Sequence, residues 1–470
     1  MLMVAASVVA ATLVVHVDAD EFAHAVYNVV CLAHQVPCTA AKYERLWKDE
    51  LKWSAEDQTE LDRWQSMLSA IKSRAPVESD APLLADYLSF YPYRRQESAI
   101  LSAALEAKSA AAFQARVSSV VTVDEARAMA RVLHHFETRL HPWWQRVGRR
   151  RVPSLRATER QFSPAVQGLL HQVGSFVHAD PRVTDLHMHV VPSPYVENDD
   201  ASGTVVGSHF FLELVPPTAA GAAKDRAARM VASVAVHELT HALYDSAPLL
   251  QHLAIMGQFV GSSDRGAPSM FAFLNEAIAS AVQQMALDLG PDDDAVAEGE
   301  YRHPYIPRLA RAAAAPLTTA LTTGTTITDG FVEAYVREAR QVLGAEADSL
   351  AFRFGAMAIL ASEATRPAIA SLRETVKPTY DVDTVLEWQR AGELSAAFLR
   401  NYDEVREFAD RIPALTELMR HRGFAFVLPY KTRSYLLVLA GRDAAAVGDV
   451  IRRLEPENAV PGEGVVVTIE

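Results

Sequence analysis

Apolar positions recur along the chain with two different periods, and the changes of period divide the sequence. From 20 to about 179 they return at spacings of three and four, as in EDQTELDRWQSMLSAIK and VDEARAMARVLHHFETRL, the rhythm of amphipathic helices. Asp124 and Glu125 stand in a first turn, where negative charge suits the helix dipole. Pro92 and Pro142 mark breaks. At Val183 the period becomes two. VTDLHMHVVPSP and GTVVGSHFFLELVPP alternate and are rich in Val and Phe, so each reads as one strand, with the polar YVENDDASG between them. Pro216 and Pro217 end the second strand. Residues 224–244 then read as one helix, followed by helices over about 247–260, 268–289, 304–322, 328–343 and 346–374. From Gly423, the segments FAFVLPY, YLLVLAG, DAAAVGDVIRRLE and GVVVTIE read as a small α/β unit. The expected class is α+β and mostly helical, with a small sheet in front of the 224–244 helix. The expected regions are a helical N-terminal part over 20–180, a core over 181–375, and a helical linker with the small α/β unit over 376–470.

Composition narrows the classes. The chain has 470 residues, enough for two or three domains, with 50% apolar and 22% charged residues. A net charge of −13 argues against binding nucleic acid, since phosphates need a basic face, and against docking on anionic lipid. The N-terminus, MLMVAASVVAATLVVHVDADEF, carries an apolar run over 2–15 that is too short to span a bilayer. It has the length of a signal-peptide core, and the VDA at 17–19 offers small residues for cleavage, although no Lys or Arg precedes the run. The expectation is a signal peptide over 1–19 and an exported protein, periplasmic or secreted, with no stable membrane span after cleavage. Uncleaved, the segment would anchor the chain; a buried strand is the other reading. Cys31 and Cys38, the only two cysteines, read as one local disulfide in an exported protein, with Pro37 turning the chain between them; two buried thiols are the alternative.

The chemistry concentrates in VAVHELTHAL. On a helix, His237 and His241 project from the same face, four residues apart, and two imidazoles so placed can hold one zinc. Glu238 is too close in sequence to be a third ligand but is well placed to take a proton from a water. Val231, Val234, Ala235, Ala242 and Leu243 surround the triplet with apolar side chains. Glu276 interrupts the apolar face of MFAFLNEAIASAVQQMA. A solvated glutamate is its bland reading, but the other carboxylates are poorer ligands: Asp264 lies in a Gly/Ser loop, and Glu213 sits on a strand and faces solvent. His187 and His189 share a face of their strand, with His209 close by, and read as ordinary strand histidines rather than ligands. Neither GxSxG nor a P-loop is present.

HELTH followed by a second helix carrying FLNEAIAS resembles a zinc metallopeptidase of the gluzincin group. The resemblance covers about 190–290 and implies a zincin-like core. By it, His237 and His241 are zinc ligands, Glu276 is the third ligand with Asn275 before it, and Glu238 is the general base in peptide-bond hydrolysis. It also implies an oxyanion donor from a later segment. EYRHPYIPRLA offers Tyr301, His303 and Tyr305, of which Tyr305 is favoured. A peptide or protein substrate would lie along the strand before the HELTH helix. The chain departs from the group's pattern twice. The interval from His241 to Glu276 is long, and Ser280 stands where thermolysin-like members carry an aspartate, leaving Asp245 as a candidate to orient a ligand. These departures leave the subfamily unassigned. The competing readings are a zincin-fold binding or scaffold protein without turnover, and a purely structural helical protein.

Overall fold

A computed structural model describes residues 14–35, 38, 40–74, 96–97, 99–151, 164–180, 185–195, 202–206, 209–214, 222–286, 304–362, 364–376, 380–382, 395–409, 413–430, 434–459 and 464–470. The fold is mostly helical with two sheets, four-stranded and six-stranded. Two compact units emerge: 1–248, 282–292 and 321–326 in the first, and 249–281, 293–320 and 327–470 in the second. The division falls inside one continuous helix, Leu274–Ala286. Among the described residues, no helix is long and apolar enough to cross a membrane.

The first unit opens with strand β1 (Val14–Asp18), so the end of the N-terminal apolar run is strand; residues 1–13 lie outside the described residues. A cut after Ala19 would remove β1 whole. Helix α1 (Glu21–Leu32) follows, capped by the Asp20 carboxylate, which accepts from Ala23 N. Cys31, near its end, is disulfide-bonded to Cys38, with Cα atoms 5.9 Å apart. Helices α2 (Ala55–Ser73) and α3 (Val123–Trp143) pack together, and α3 begins in a Thr122/Glu125 capping box. Asp57 on α2 is fully buried. Burial opposes its ionisation, but bonds from Arg139, His135 and Ser54 outweigh burial and hold its carboxyl below the usual range. Helix α4 (Pro164–Val177) leads to strand β2 (Asp185–Pro192).

The segment read as one strand, GTVVGSHFFLEL, is a hairpin. Strand β3 (Ser202–Val206) runs antiparallel to β4 (His209–Leu214), with Val206 opposite His209. Only Gly207 and Ser208 stand between the paired ends, a two-residue connection for which Gly-Ser is a turn signal in the sequence. The sheet order is β1-β2-β4-β3, with β2 parallel to both β1 and β4, leaving β3 on an edge. Strand alternation sorts its faces. Val191 and Phe211 join the core of the helical region, where Tyr27 of α1 meets Phe211 at 4.6 Å. Phe210 and Leu212, equally buried, point the other way. Helix α5 (Ala222–Ser246), which carries HELTH, packs on β3, β4 and α4.

The second unit starts with helix α6 (Leu249–Gly261). The helix expected over 268–289 is broken at Phe273 into Ala267–Ala272 and α7 (Leu274–Ala286). Helices α8 (Ile306–Thr323) and α9 (Val332–Leu343) follow. The expected 346–374 helix is not formed. Its middle is strand β5 (Ala356–Ala361), parallel to β6 (Tyr380–Val382) and β7 (Ser395–Asn401). Alanine-rich sequence favours helix, but Met357 and Ile359 alternate into the apolar core, and packing overrides propensity. Strands β8 (Gly423–Tyr430) and β9 (Ser434–Gly441), helix α10 (Ala444–Arg452) and strand β10 (Gly464–Ile469) complete a sheet ordered β10-β8-β9-β7-β5-β6. The small α/β unit read from 423 onward is therefore part of a larger sheet that begins at Ala356. Gly441 lets α10 approach closely: a Cβ there would lie 2.8 Å from Ala446 Cβ.

Candidate metal centre

The HELTH residues fall where helical spacing places them. His237 is buried, 4% exposed, while Glu238 and His241 are half-buried. The Nε2 atoms of His237 and His241 point at one another across 2.9 Å, with ring planes at 85°. Ala235, Val236, Leu239 and Thr240 around them are buried, and Thr240 returns its hydroxyl to Val236 O.

Glu276 lies in the first turn of α7. One ligand atom each from His237, His241 and Glu276 lie within 4.8 Å of one another, and this is the one group of its kind among the described residues. Ligand bonds of about 2.1 Å at tetrahedral angles put ligand atoms about 3.4 Å apart. The two imidazole nitrogens are 2.9 Å apart, and all three ligand atoms lie within 4.8 Å of one another. Two neutral imidazoles and a carboxylate form the donor set of zinc centres that keep a fourth position open for water or substrate.

The competing carboxylates are engaged elsewhere. Asp264 is clamped by the Arg340 guanidinium and accepts from Gly266 N; burial opposes its ionisation, but Arg340 prevails and holds the carboxyl below its usual range. Glu213 does not face solvent, as its strand position implied. It is 1% exposed and 3.4 Å from Lys42 Nζ, and together with burial it drives the Tyr43 phenol well above its ordinary value. The β4 register turns Glu213 inward with His209 and Phe211, toward the helical region.

Three features of the surroundings were not read from the sequence. Gln283 on α7 donates to Ser233 on α5, both buried. Ser233 is one turn before His237 and Gln283 is two turns after Glu276, so this bond lies along the helix faces that carry those two residues. Helical spacing from the ligands is the signal that would have found the pair. The third feature is Gly203 on β3, which lies against the Glu238 side chain. Ser280, one turn past Glu276, is buried, and Asp245 is exposed.

Tyr301 and His303 lie outside the described residues. Tyr305 is 6% exposed, with its ring 5.0 Å from Phe352 and 6.3 Å from Phe273. Burial raises its phenol above the ordinary value, and a hydrogen bond with Ser349 works in the opposite direction. These contacts give Tyr305 a packing role, and its hydroxyl is already engaged.

No family model, no curated protein and no solved structure matches the chain.

Proposed function

We propose that this chain is a zinc-dependent peptidase with a zincin-like core of the gluzincin type. The carrying observation is the convergence of His237, His241 and Glu276, drawn from two separate helices, with their ligand atoms within 4.8 Å. His237, His241 and Glu276 would hold the ion. When bound there, zinc supplies Lewis-acid polarisation of a water and of the scissile carbonyl. Glu238, one residue past the first ligand, accepts the proton of the attacking water and delivers it to the departing amine. The edge strand β3 offers backbone donors and acceptors to an extended peptide. The Cys31–Cys38 disulfide supports residence in an oxidising compartment, periplasmic or extracellular.

The test is metal content per chain for protein purified without added zinc or a metal-binding tag, beside Glu276→Ala and Glu238→Gln. Wild type should hold one zinc, Glu276→Ala should lose it or hold it far more weakly, and Glu238→Gln should keep it. Hydrolysis of a peptide library by wild type, absent in Glu238→Gln, completes the reading. Zinc held with full turnover in Glu238→Gln would remove the base. A zinc-loaded wild type with no turnover would leave a binding or scaffold protein.

A further inference from the structure

Glycine in the interior of a strand packs nothing and loses the most backbone freedom on folding, so a glycine kept there needs a reason. Gly203 is the second residue of β3, paired with Leu212 of β4. Its φ is outside the left-handed region, so the backbone itself accepts any residue there. The reason is on the neighbouring helix. A Cβ built on Gly203 would fall onto Cγ, Cδ and Oε1 of Glu238, and its three nearest atoms all belong to that one side chain. The Glu238 carboxylate thus lies in the room that a residue 203 side chain would fill.

We infer that Gly203 is a positioning residue for Glu238: its missing side chain fixes where the carboxylate rests against the edge strand. The inference rests on the reading of Glu238 as the base. Both residues lie in the first unit, on α5 and on the strand against which α5 packs. Because the atoms in the way are the outer part of a flexible side chain, an alanine at 203 is accommodated by moving Glu238 and not by moving backbone. The fold and the metal ligands should survive while the carboxylate leaves its place.

The test is a double-mutant cycle of Gly203→Ala and Glu238→Ala, read first by thermal melting of the metal-free proteins and then by zinc content and kinetics. Gly203→Ala should lower Tm in the wild-type background and leave it unchanged or raised in the Glu238→Ala background, where the colliding atoms are gone. If Gly203→Ala alone fails to fold while the double variant folds, the contact is equally established. Zinc content should be unchanged by Gly203→Ala, kcat should fall at least tenfold with KM unchanged, and Gly203→Ala should add nothing to Glu238→Gln. Equal Tm shifts in both backgrounds would overturn the inference, as would full kcat in Gly203→Ala. Coupled melting in a wild type that hydrolyses nothing would support the contact and put the failure on the peptidase reading.

Discussion

Two groups of histidines in the first unit can be compared ring by ring. His237 and His241 sit four apart on one helix, meet edge to face at 85°, and bring two nitrogens to 2.9 Å. His16, His187 and His209 sit at one register across the three strands β1, β2 and β4. Their rings stack, His16 on His187 and His187 on His209, each pair at 4.8 Å with planes 15° and 17° apart. His189 extends the stack, its Nε2 3.0 Å from His209 Nδ1. Helical spacing converges nitrogens on a point; sheet spacing lays imidazoles face to face at the strand separation, with their nitrogens side by side. The first arrangement suits a cation between the rings. The second suits neutral rings, because a proton on one puts charge against the face of the next. The element that carries the histidines thus decides whether their nitrogens converge or lie side by side.

The largest expected effect separates the two groups directly. His237→Ala should abolish zinc binding and all hydrolysis, leaving the stacked set intact. One zinc still held per His237→Ala chain would move the metal to the strands and reverse the comparison.

Acid should act on the stacked group. His189 is 2% and His209 1% exposed. Burial, opposed by Asp18, brings His189 down to about 4; burial, reinforced by His189 and His187, brings His209 down to about 3; burial and His16 also lower His187. Asp18 on β1, Asp185 on β2 and Glu106 face the cluster as anions, and Lys108 as a cation held by Asp18 and Asp20. A base held below its unfolded value of about 6.5 takes up its proton more readily in the unfolded chain. Stability is therefore complete above about pH 6.5 and falls as pH drops toward about 4, by an amount on the order of 3 kcal/mol for each of these two histidines. Urea midpoints from pH 7 to 4 should follow this descent, and His189→Gln/His209→Gln should flatten it. An unchanged slope in that variant would show that the acid sensitivity lies elsewhere.

The smallest effect concerns Tyr305. With its hydroxyl bonded to Ser349 and its ring between phenylalanines, Tyr305→Phe should cost about 1 kcal/mol of stability and leave kcat unaltered. A loss of kcat by about a hundredfold would restore Tyr305 as the oxyanion donor.

What could be read beforehand follows the distance over which information must travel. His237 and His241 are one turn apart, so spacing alone fixed their common face, with Glu238 next to the first. Glu276 is 35 positions beyond His241 in the sequence and was reached through a resemblance, because no local rule links two helices. Gly203 against Glu238 depends on which strand the helix packs on, and single positions are silent about that; Gln283 against Ser233 follows by helical spacing only once the two helices are paired. The break between β3 and β4 was hidden by the apolar alternation on both sides, although the Gly-Ser pair at 207–208 is a hairpin signal in the sequence. Strand β5 was hidden by alanine, whose preference for helix is real but small beside burial in a sheet.

Strand β1 has a consequence in time. It precedes the helical region and its partner β2 follows that region; His16 and the Asp185 carboxylate it meets at 2.8 Å are 169 positions apart. Closing so long a loop is slow and entropically costly, so the helices between, whose mutual contacts span shorter separations, should assemble before the sheet can take β1. Until β2 leaves the ribosome, β1 lacks its partner in the sheet. Strand β1, made before these helices, is therefore fixed in place after them.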